Sequence, residues 1–323
     1  MRETPWPSTT AELARQEGVY AVVVKRRAGQ ISSVRRGWHI DTEGWTRLYG
    51  EERHLARVRA AWASSRLKRG VVGYASAAVL HGLPLYGVDL ERVHLVLPPS
   101  RRASSNAVVR RHIEELPDED LIEVDGIVAT TLERTVFDVA RTARAECALV
   151  VADAALRAVA WEEGARAYDL GVAAEWRSRM LRKVESARGV RGVLAARRAI
   201  EFADGRAQLP GESVTRLRLR ECGWRHFVLQ APVRGGSGRE FFVDVGVEEI
   251  RTWVEFDGVD KYIAPSMTGG REVGAVLAAE RERQAEIVAA TGWPLVRVGW
   301  PHIDSRGAFA RRLREQGVVP PAH

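Results

Sequence analysis

Apolar and polar positions along the chain fall into three blocks with different periods. In the first, residues 8–48, the stretch STTAEL opens a helix, with Ser8 or Thr9 as N-cap and Glu12 at capping-box spacing. The run VYAVVVKRR, Val19 to Arg27, is apolar and then basic, and Gly29 ends it. A short apolar run fits a helix or a buried strand equally well, so both readings stand here. ISSVRRGWHI follows as an extended hairpin with a tight turn at Arg36 and Gly37. With the helical alternative, the order is helix, turn, basic helix, basic hairpin. That is the order of a winged helix-turn-helix, in which one helix enters the major groove and the wing straddles phosphates.

The second block, residues 51–200, alternates helical and extended patterns. EERHLARVRAAWASSRLKRG reads as a basic amphipathic helix, and SAAVLHGLPL as a helix closed by Gly82 and Pro84. VHLVLPP is a short strand stopped by prolines. After the acidic stretch ELPDEDLIEVDG, TTLERTVFDVARTA predicts a helix with Thr130 and Glu133 as its capping box. Residues 145–200 are mostly helical, with breaks near Gly164 and Gly171. His81 and Asp138 stand alone in this block and read as structural.

The third block begins with the linker ADGRAQLPGE and the helix SVTRLRLRECGW. Three extended runs follow, FVLQAPV, REFFVDVGV and IRTWVEFDG, then the helix LAAERERQAEIVAATGW and the strand PLVRVGW. The predicted order is α-β-β-β-α-β. Overall the pattern predicts an α+β chain of mixed α/β units.

Composition narrows the function classes. The 323 residues are 46% hydrophobic and 28% charged, a globular composition that argues against a disordered chain. The apolar run Val19 to Val24 is too short for a signal peptide core or a membrane span. Two cysteines, Cys147 and Cys222, make neither a disulfide framework nor a cysteine zinc site. These features predict a cytoplasmic protein with no membrane partner. The net charge of +7 is local: residues 1–70 hold 14 Lys/Arg against 7 Asp/Glu, and the rest of the chain balances at 35 and 35. A local basic excess is the footprint of a phosphate-backbone partner, here double-stranded DNA, or simply a solvated cationic surface. In the winged-helix reading Lys25, Arg26, Arg27, Arg35 and Arg36 are the DNA-contacting candidates. Arginines number 45 and lysines 4, so each lysine is worth locating.

The chemistry sits in the third block. Side chains alternate along a strand, so Glu255 and Asp257 share a face while Val254 and Phe256 turn away. Asp244 interrupts the apolar run FFVDVGV, and the hairpin link GVEEIRTW lets it lie beside Glu255. Like charges this close repel and are costly in apolar strands, so something positive should offset them. A divalent cation held by oxygen ligands would do so, and Lys261, four residues after Asp257, is a second source. Glu212, at the start of the preceding helix, is placed to join the cluster. Carboxylates around a cation beside a lysine make a phosphodiester-cleaving arrangement. The competing reading is a hairpin with ordinary solvated carboxylates.

LPGES, FVDVG, VEFDGVDKY, ERERQAEIVAATGW and PLVRVGW, in that order, resemble the PD-(D/E)XK nuclease superfamily, and within it the branch similar to very-short-patch-repair (Vsr-like) endonucleases. The resemblance covers about residues 205–310. It implies that Asp244 and Glu255 are ligands of Mg²⁺ or Mn²⁺ and that Glu212 is the helix-borne acid. The position two after the glutamate, a lysine in that family, is Asp257 here, with Lys261 as its replacement. The histidines of the repair endonucleases are absent, KYIAPS standing in that place. Glu280 and Arg283 match polar helix positions that face the sheet and orient the site. Separately, STTAEL, ISSVRRGWHI, SAAVLHGLPLYGV, VHLVLP and TTLERTVFDVA resemble AbiEi-type antitoxins of bacterial abortive-infection systems, over roughly residues 8–160. That family joins a promoter-binding winged helix to a middle domain.

Together these readings predict a winged-helix domain at 1–50, an AbiEi-like middle domain at 51–204 and a restriction-endonuclease-like domain at 205–323. The expected function is DNA binding through the head with a metal-dependent DNA endonuclease or nickase in the tail. The candidate catalytic residues are Asp244, Glu255, Lys261, Glu212 and Asp257, and the candidate metal ligands Asp244, Glu255 and Glu212. The alternative is a non-enzymatic toxin–antitoxin component or transcriptional autoregulator, with a degenerate nuclease domain and a cognate toxin as partner.

Overall fold

The computed structural model describes residues 4–64, 70–101, 104–164, 167–258 and 273–321. The chain is α+β and divides into two compact units, one of residues 1–155 and 175–202, the other of residues 156–174 and 203–323.

The first unit begins with strand β1 (Ser8–Thr9), helices α1 (Thr10–Glu17) and α2 (Val19–Arg27), and the hairpin β2 (Ile31–Arg35) and β3 (Trp38–Asp41). Of the two candidate caps it is Thr9 that closes the box. Its hydroxyl accepts from the Glu12 amide at 3.0 Å, and its own amide donates to Glu12 Oε2 at 2.7 Å. VYAVVVKRR is a helix, not a buried strand: Gly18, at φ +90°, breaks α1 from α2, and only Val22 of α2 is buried. β1 pairs with β3, and β3 with β2, both antiparallel. The turn residue Gly37 sits at φ +80°, a conformation glycine adopts without strain.

Helix α3 (Thr42–Arg47) leads to α4 (Gly50–Ala63). One side of α4 packs through Ala56 and Ala60 on Val34 and Ile40 of the hairpin, and the other through Leu55 and Val58 on the next sheet. That sheet holds β4 (Val71–Val72), β5 (Val93–Leu97), β6 (Val109–Ile113), β7 (Leu121–Val124) and β8 (Ile127–Thr130), in the order β6-β5-β4-β8-β7. Helix α5 (Tyr74–Leu80) follows β4, with Gly82 at φ +72° beyond its end.

The N-cap of α6 (Leu132–Thr142) is Thr131, not the predicted Thr130. Thr130 is the last residue of β8, paired with Leu121, and its hydroxyl is bonded to that of Thr135. Asp138 is structural as predicted: fully buried, it accepts from Arg134 at 2.8 Å and Arg141 at 2.9 Å. His81 bonds the Thr130 carbonyl at 2.8 Å.

Helix α7 (Ala145–Ala160) runs into a small hairpin, β9 (Trp161–Glu162) and β10 (Ala167–Tyr168), then α8 (Leu170–Ser186) and α9 (Val193–Phe202). The breaks expected near Gly164 and Gly171 fall in this hairpin and at its junction with α8, Gly171 itself lying in the first turn of that helix. Asp169 caps that turn by accepting from the Gly171 and Val172 amides at 2.8 and 3.0 Å.

The second unit follows the predicted order: α10 (Pro210–Glu221), β11 (Phe227–Arg234), β12 (Glu240–Val247), β13 (Thr252–Phe256), α11 (Val273–Thr291) and β14 (Leu295–Val298). Helices α12 (Trp300–Ile303) and α13 (Arg306–Glu315) close it. The sheet order is β11-β12-β13-β14, the first three antiparallel and β14 parallel to β13. All five residues of β13 are buried. Trp253 packs with Ile287 of α11 and meets Trp293 with tilted rings, centres 4.6 Å apart. Phe256 packs on α10 at Gly211, where a Cβ would fall 2.2 Å from its ring. Residues 1–50 and most of the expected middle domain share the first unit, and residues 156–174, which the sequence assigns to the middle domain, join the second.

Candidate functional site

The strand order of the second unit sets its carboxylates. Antiparallel pairing of β12 and β13 runs through Val245↔Val254 and ends there. Beyond that point Asp244 Oδ2 accepts from the Phe256 amide at 2.9 Å, so the side chain continues where the ladder stops. Glu255 registers with Arg297 across the parallel β13–β14 pair. Asp244, Glu255, Phe256, Asp257, Glu280, Arg283 and Arg297 line one cavity of about 240 Å³. Three of the predicted carboxylates are therefore brought together.

Two arginines offset them. Glu255 is 7% exposed and forms an ion pair with Arg283 of α11: Arg283 Nη2 lies 2.6 Å from Oε1, and Nη1 donates to Oε2 at 2.9 Å. Oε1 itself is buried and accepts no hydrogen bond of good geometry. Arg283 Nη2 also donates to the Phe242 carbonyl at 2.9 Å, which ties α11 to β12. Burial works against the Arg283 charge, but the hydrogen bond and charge of Glu255 more than offset it, and the pKa lies above the ordinary arginine value. Arg297 lies 2.8 Å from Glu280, 3.6 Å from Asp257 and 3.9 Å from Glu255. Glu280 and Arg283 thus face the sheet as the resemblance implies. Arg297 was not singled out from the sequence. Its signal was a charged residue in the middle of the apolar strand PLVRVGW, the same kind of interruption that marked Asp244.

Glu212 stands apart from this cavity. It is 4% exposed in the first turn of α10, where Oε2 accepts from the Gln208 amide at 2.9 Å and from Gln230 Nε2 at 3.2 Å. With Asp244 it lines a second cavity of about 890 Å³. Asp244 is the residue common to both. Lys261 lies outside the described residues.

Asp244 offers the more open carboxylate to a hard divalent ion, since both Glu255 oxygens already face Arg283. Asp244 and Glu255 line one cavity, and Mg²⁺ is satisfied by one or two carboxylates with waters completing its shell. Among the described residues, no group of three or more His, Cys, Asp or Glu side chains gathers in a metal-holding arrangement.

In the first unit the five predicted DNA contacts differ in availability. Arg26, Arg27 and Arg36 are exposed, at the end of α2 and at the hairpin turn. Lys25 pairs with Glu17 at 2.6 Å. Arg35 is half-buried, with Nη1 enclosed and without a hydrogen bond. Burial, and then the nearby Arg111 charge, hold its pKa below the ordinary arginine value. Among the described residues no helix is long and apolar enough to cross a membrane.

No protein-family model matches the chain. It is similar to the uncharacterized proteins MT2308 and Rv2248 of Mycobacterium tuberculosis, strains CDC 1551 / Oshkosh and ATCC 25618 / H37Rv. Identity to each is 31% over 198 residues, which span 60% of this chain and 66% of each relative. The chain therefore spans just under two thirds of the length of the curated relatives it matches. Against the crystal structure of the RV2827C protein from M. tuberculosis the TM-score is 0.35 at 16% identity, over 63% of this chain and 74% of that one.

Proposed function

We propose that the chain is a DNA-binding protein whose second unit is a cation-dependent DNA endonuclease of the nicking type, targeted by the winged-helix head. The observation that carries the reading is the convergence of Asp244 and Glu255 in one cavity, on adjacent strands of an αβββαβ unit. Asp244 and Glu255 would hold Mg²⁺ or Mn²⁺, while Glu212, bonded to Gln208 and Gln230, lies in the neighbouring cavity. Such an ion, when bound, polarises a phosphate and activates water. The Phe256 amide fixes the Asp244 carboxylate, and Arg283 orients Glu255 from the helix above. Arg297 keeps Glu280 and Asp257 from repelling the phosphate outright. Exposed Arg26, Arg27 and Arg36 supply phosphate contacts in the head.

A second reading, a non-enzymatic autoregulator or antitoxin with a degenerate nuclease unit and a cognate toxin, is favoured by two observations. Glu255 is already ion-paired with Arg283, and Asp257 stands where the nuclease family has lysine. Incubating purified protein and supercoiled plasmid with Mg²⁺ or Mn²⁺ separates the two: nicking supports the enzyme, and its absence together with tight promoter binding supports the regulator.

A further inference from the structure

The larger cavity of the second unit differs in chemistry from the carboxylate site it adjoins. Alternate residues of β12, among them Phe242 and Asp244, form one wall, and Trp161 of the β9–β10 hairpin lies on another. Phe242 is 52% exposed, unusual for a ring on a central strand. Trp161 has a guanidinium, that of Arg157, 4.1 Å from its ring centre. The hairpin is held closely. Tyr168 Oη accepts from the Gly205 amide at 3.1 Å, and a Cβ at Gly205 would fall 2.6 Å from the Arg157 nitrogen.

Two carboxamides complete the lining. Gln208 Nε2 donates to Gln230 Oε1 at 3.2 Å, and Gln230 Nε2 donates on to Glu212 at 3.2 Å. Gln230 adopts φ +47°, a strained conformation for glutamine, opposite Asp244 where pairing of β11 and β12 skips a residue. The strain keeps a carboxamide beside the cavity.

Rings, carboxamides and four carboxylates (Glu163, Glu212, Glu240 and Asp244) against two arginines, Arg157 and Arg206, suit a planar, neutral, hydrogen-bonding group better than a phosphate in the same space. A nucleobase is such a group: it stacks on aromatic faces and presents a donor–acceptor edge. We propose that this cavity receives an unpaired base of single-stranded DNA, stacked on Phe242 and read by Gln208 and Gln230, so that the adjoining backbone passes Asp244. Phe242 and Asp244 are two residues apart on one strand, about 7 Å. Carboxylate acceptors favour bases with an exocyclic amine, so cytosine, adenine and guanine are preferred to thymine. The inference deepens the endonuclease reading by naming its substrate as a strand with unpaired bases, and it rests on that reading for the role of Asp244.

The test is a fluorescence titration of the full chain with single-stranded oligonucleotides carrying one 2-aminopurine, with Ca²⁺ present, against the same probe in a duplex. Wild type should quench the single-stranded probe and leave the duplex probe unchanged. Phe242→Ala should weaken the quenching interaction at least about fivefold, the scale of one lost base stack. Gln230→Gly, which removes the carboxamide and relieves the φ strain, should weaken the quenching too, because the base edge loses one of its two reading groups. Absence of quenching, equal quenching of the duplex, or a Phe242→Ala response like wild type would overturn the proposal, as would a preference for dT. Quenching without plasmid nicking would refute the endonuclease and leave the base site standing. Nicking without quenching would refute the base site alone.

Discussion

Glu255 and Arg283 form an ion pair at 2.6 Å between a central strand and the helix that crosses it, and Arg297 stands in register with Glu255 on the neighbouring parallel strand. The offset to the carboxylates therefore comes, among the described residues, from two arginines of separate elements. This bears on stability as well as chemistry. Removing one member of a buried ionic group leaves its partner uncompensated, which costs more than the pair itself contributes.

Arg297→Leu should accordingly destabilise the second unit, on the order of 3 kcal/mol. Arg297→Lys should recover only part of the loss, because a single ammonium cannot reach Glu280 and Asp257 together as the guanidinium fork does. Urea denaturation reads both as a shift of midpoint at constant slope. An unchanged midpoint for the leucine variant would mean that Arg297 does not offset these charges.

Divalent ions should stabilise the wild type. A ligand bound only by the folded state contributes about 2.7 kcal/mol at a hundredfold excess over its Kd. Mn²⁺ should raise the melting temperature of wild type and not that of Glu255→Ala. A rise that survives the substitution would place the ion elsewhere.

The first unit should lose stability in mild acid. His54 is fully buried, its Nδ1–H donating to the Leu90 carbonyl at 2.7 Å and its Nε2 accepting from the Ser76 hydroxyl at 2.8 Å. Burial pushes its pKa down to about 4 from an ordinary 6.5. The unfolded chain thus binds the proton first. The stabilising effect of neutral His54 is complete above pH 6.5 and is lost as pH falls from 6.5 towards 4, on the order of 3 kcal/mol in all. His94, pushed down to about 3 by burial and then by His112, acts in the same direction. Urea midpoints measured from pH 7 to pH 4 should fall for wild type and fall less steeply for His54→Asn. Parallel curves would contradict this assignment.

What was legible in the chain was local. Alternation put Glu255 and Asp257 in one place, and the charged interruption of an apolar strand found Asp244. Thr9 with Glu12 marked the first helix. What was not legible depended on distant pairing. Nothing near Arg297 says that β14 lies parallel to β13 with Arg297 beside Glu255, because the two strands are joined by a long connection through α11. Glu212 was placed in the same cluster from its position on α10, but its hydrogen bonds to Gln208 and Gln230 hold it in the neighbouring cavity. Thr130 and Thr131 both satisfy a cap pattern, and strand pairing of Thr130 decides between them. The strained Gln230 and the recruitment of residues 156–174 to the second unit leave no periodic signal at all.

Duplex binding by the head should depend steeply on salt, each phosphate contact adding about −0.9 to the slope of log K against log salt. Arg36→Ala, and Arg26 with Arg27 both replaced by Ala, should flatten the slope measured by fluorescence anisotropy. Arg35→Ala should act mainly on stability, since that side chain is half-buried. A slope unmoved by the exposed-residue variants would remove α2 and the wing from the interface.

The most direct measurement is conversion of supercoiled plasmid to open circles with Mg²⁺ or Mn²⁺, followed over time for wild type, Glu255→Ala and Asp244→Asn. The account predicts nicking by wild type and a rate at least about a hundredfold lower in each variant, the scale of a lost charge-stabilising group. No nicking by wild type with either ion, or nicking by Glu255→Ala at the wild-type rate, would contradict it.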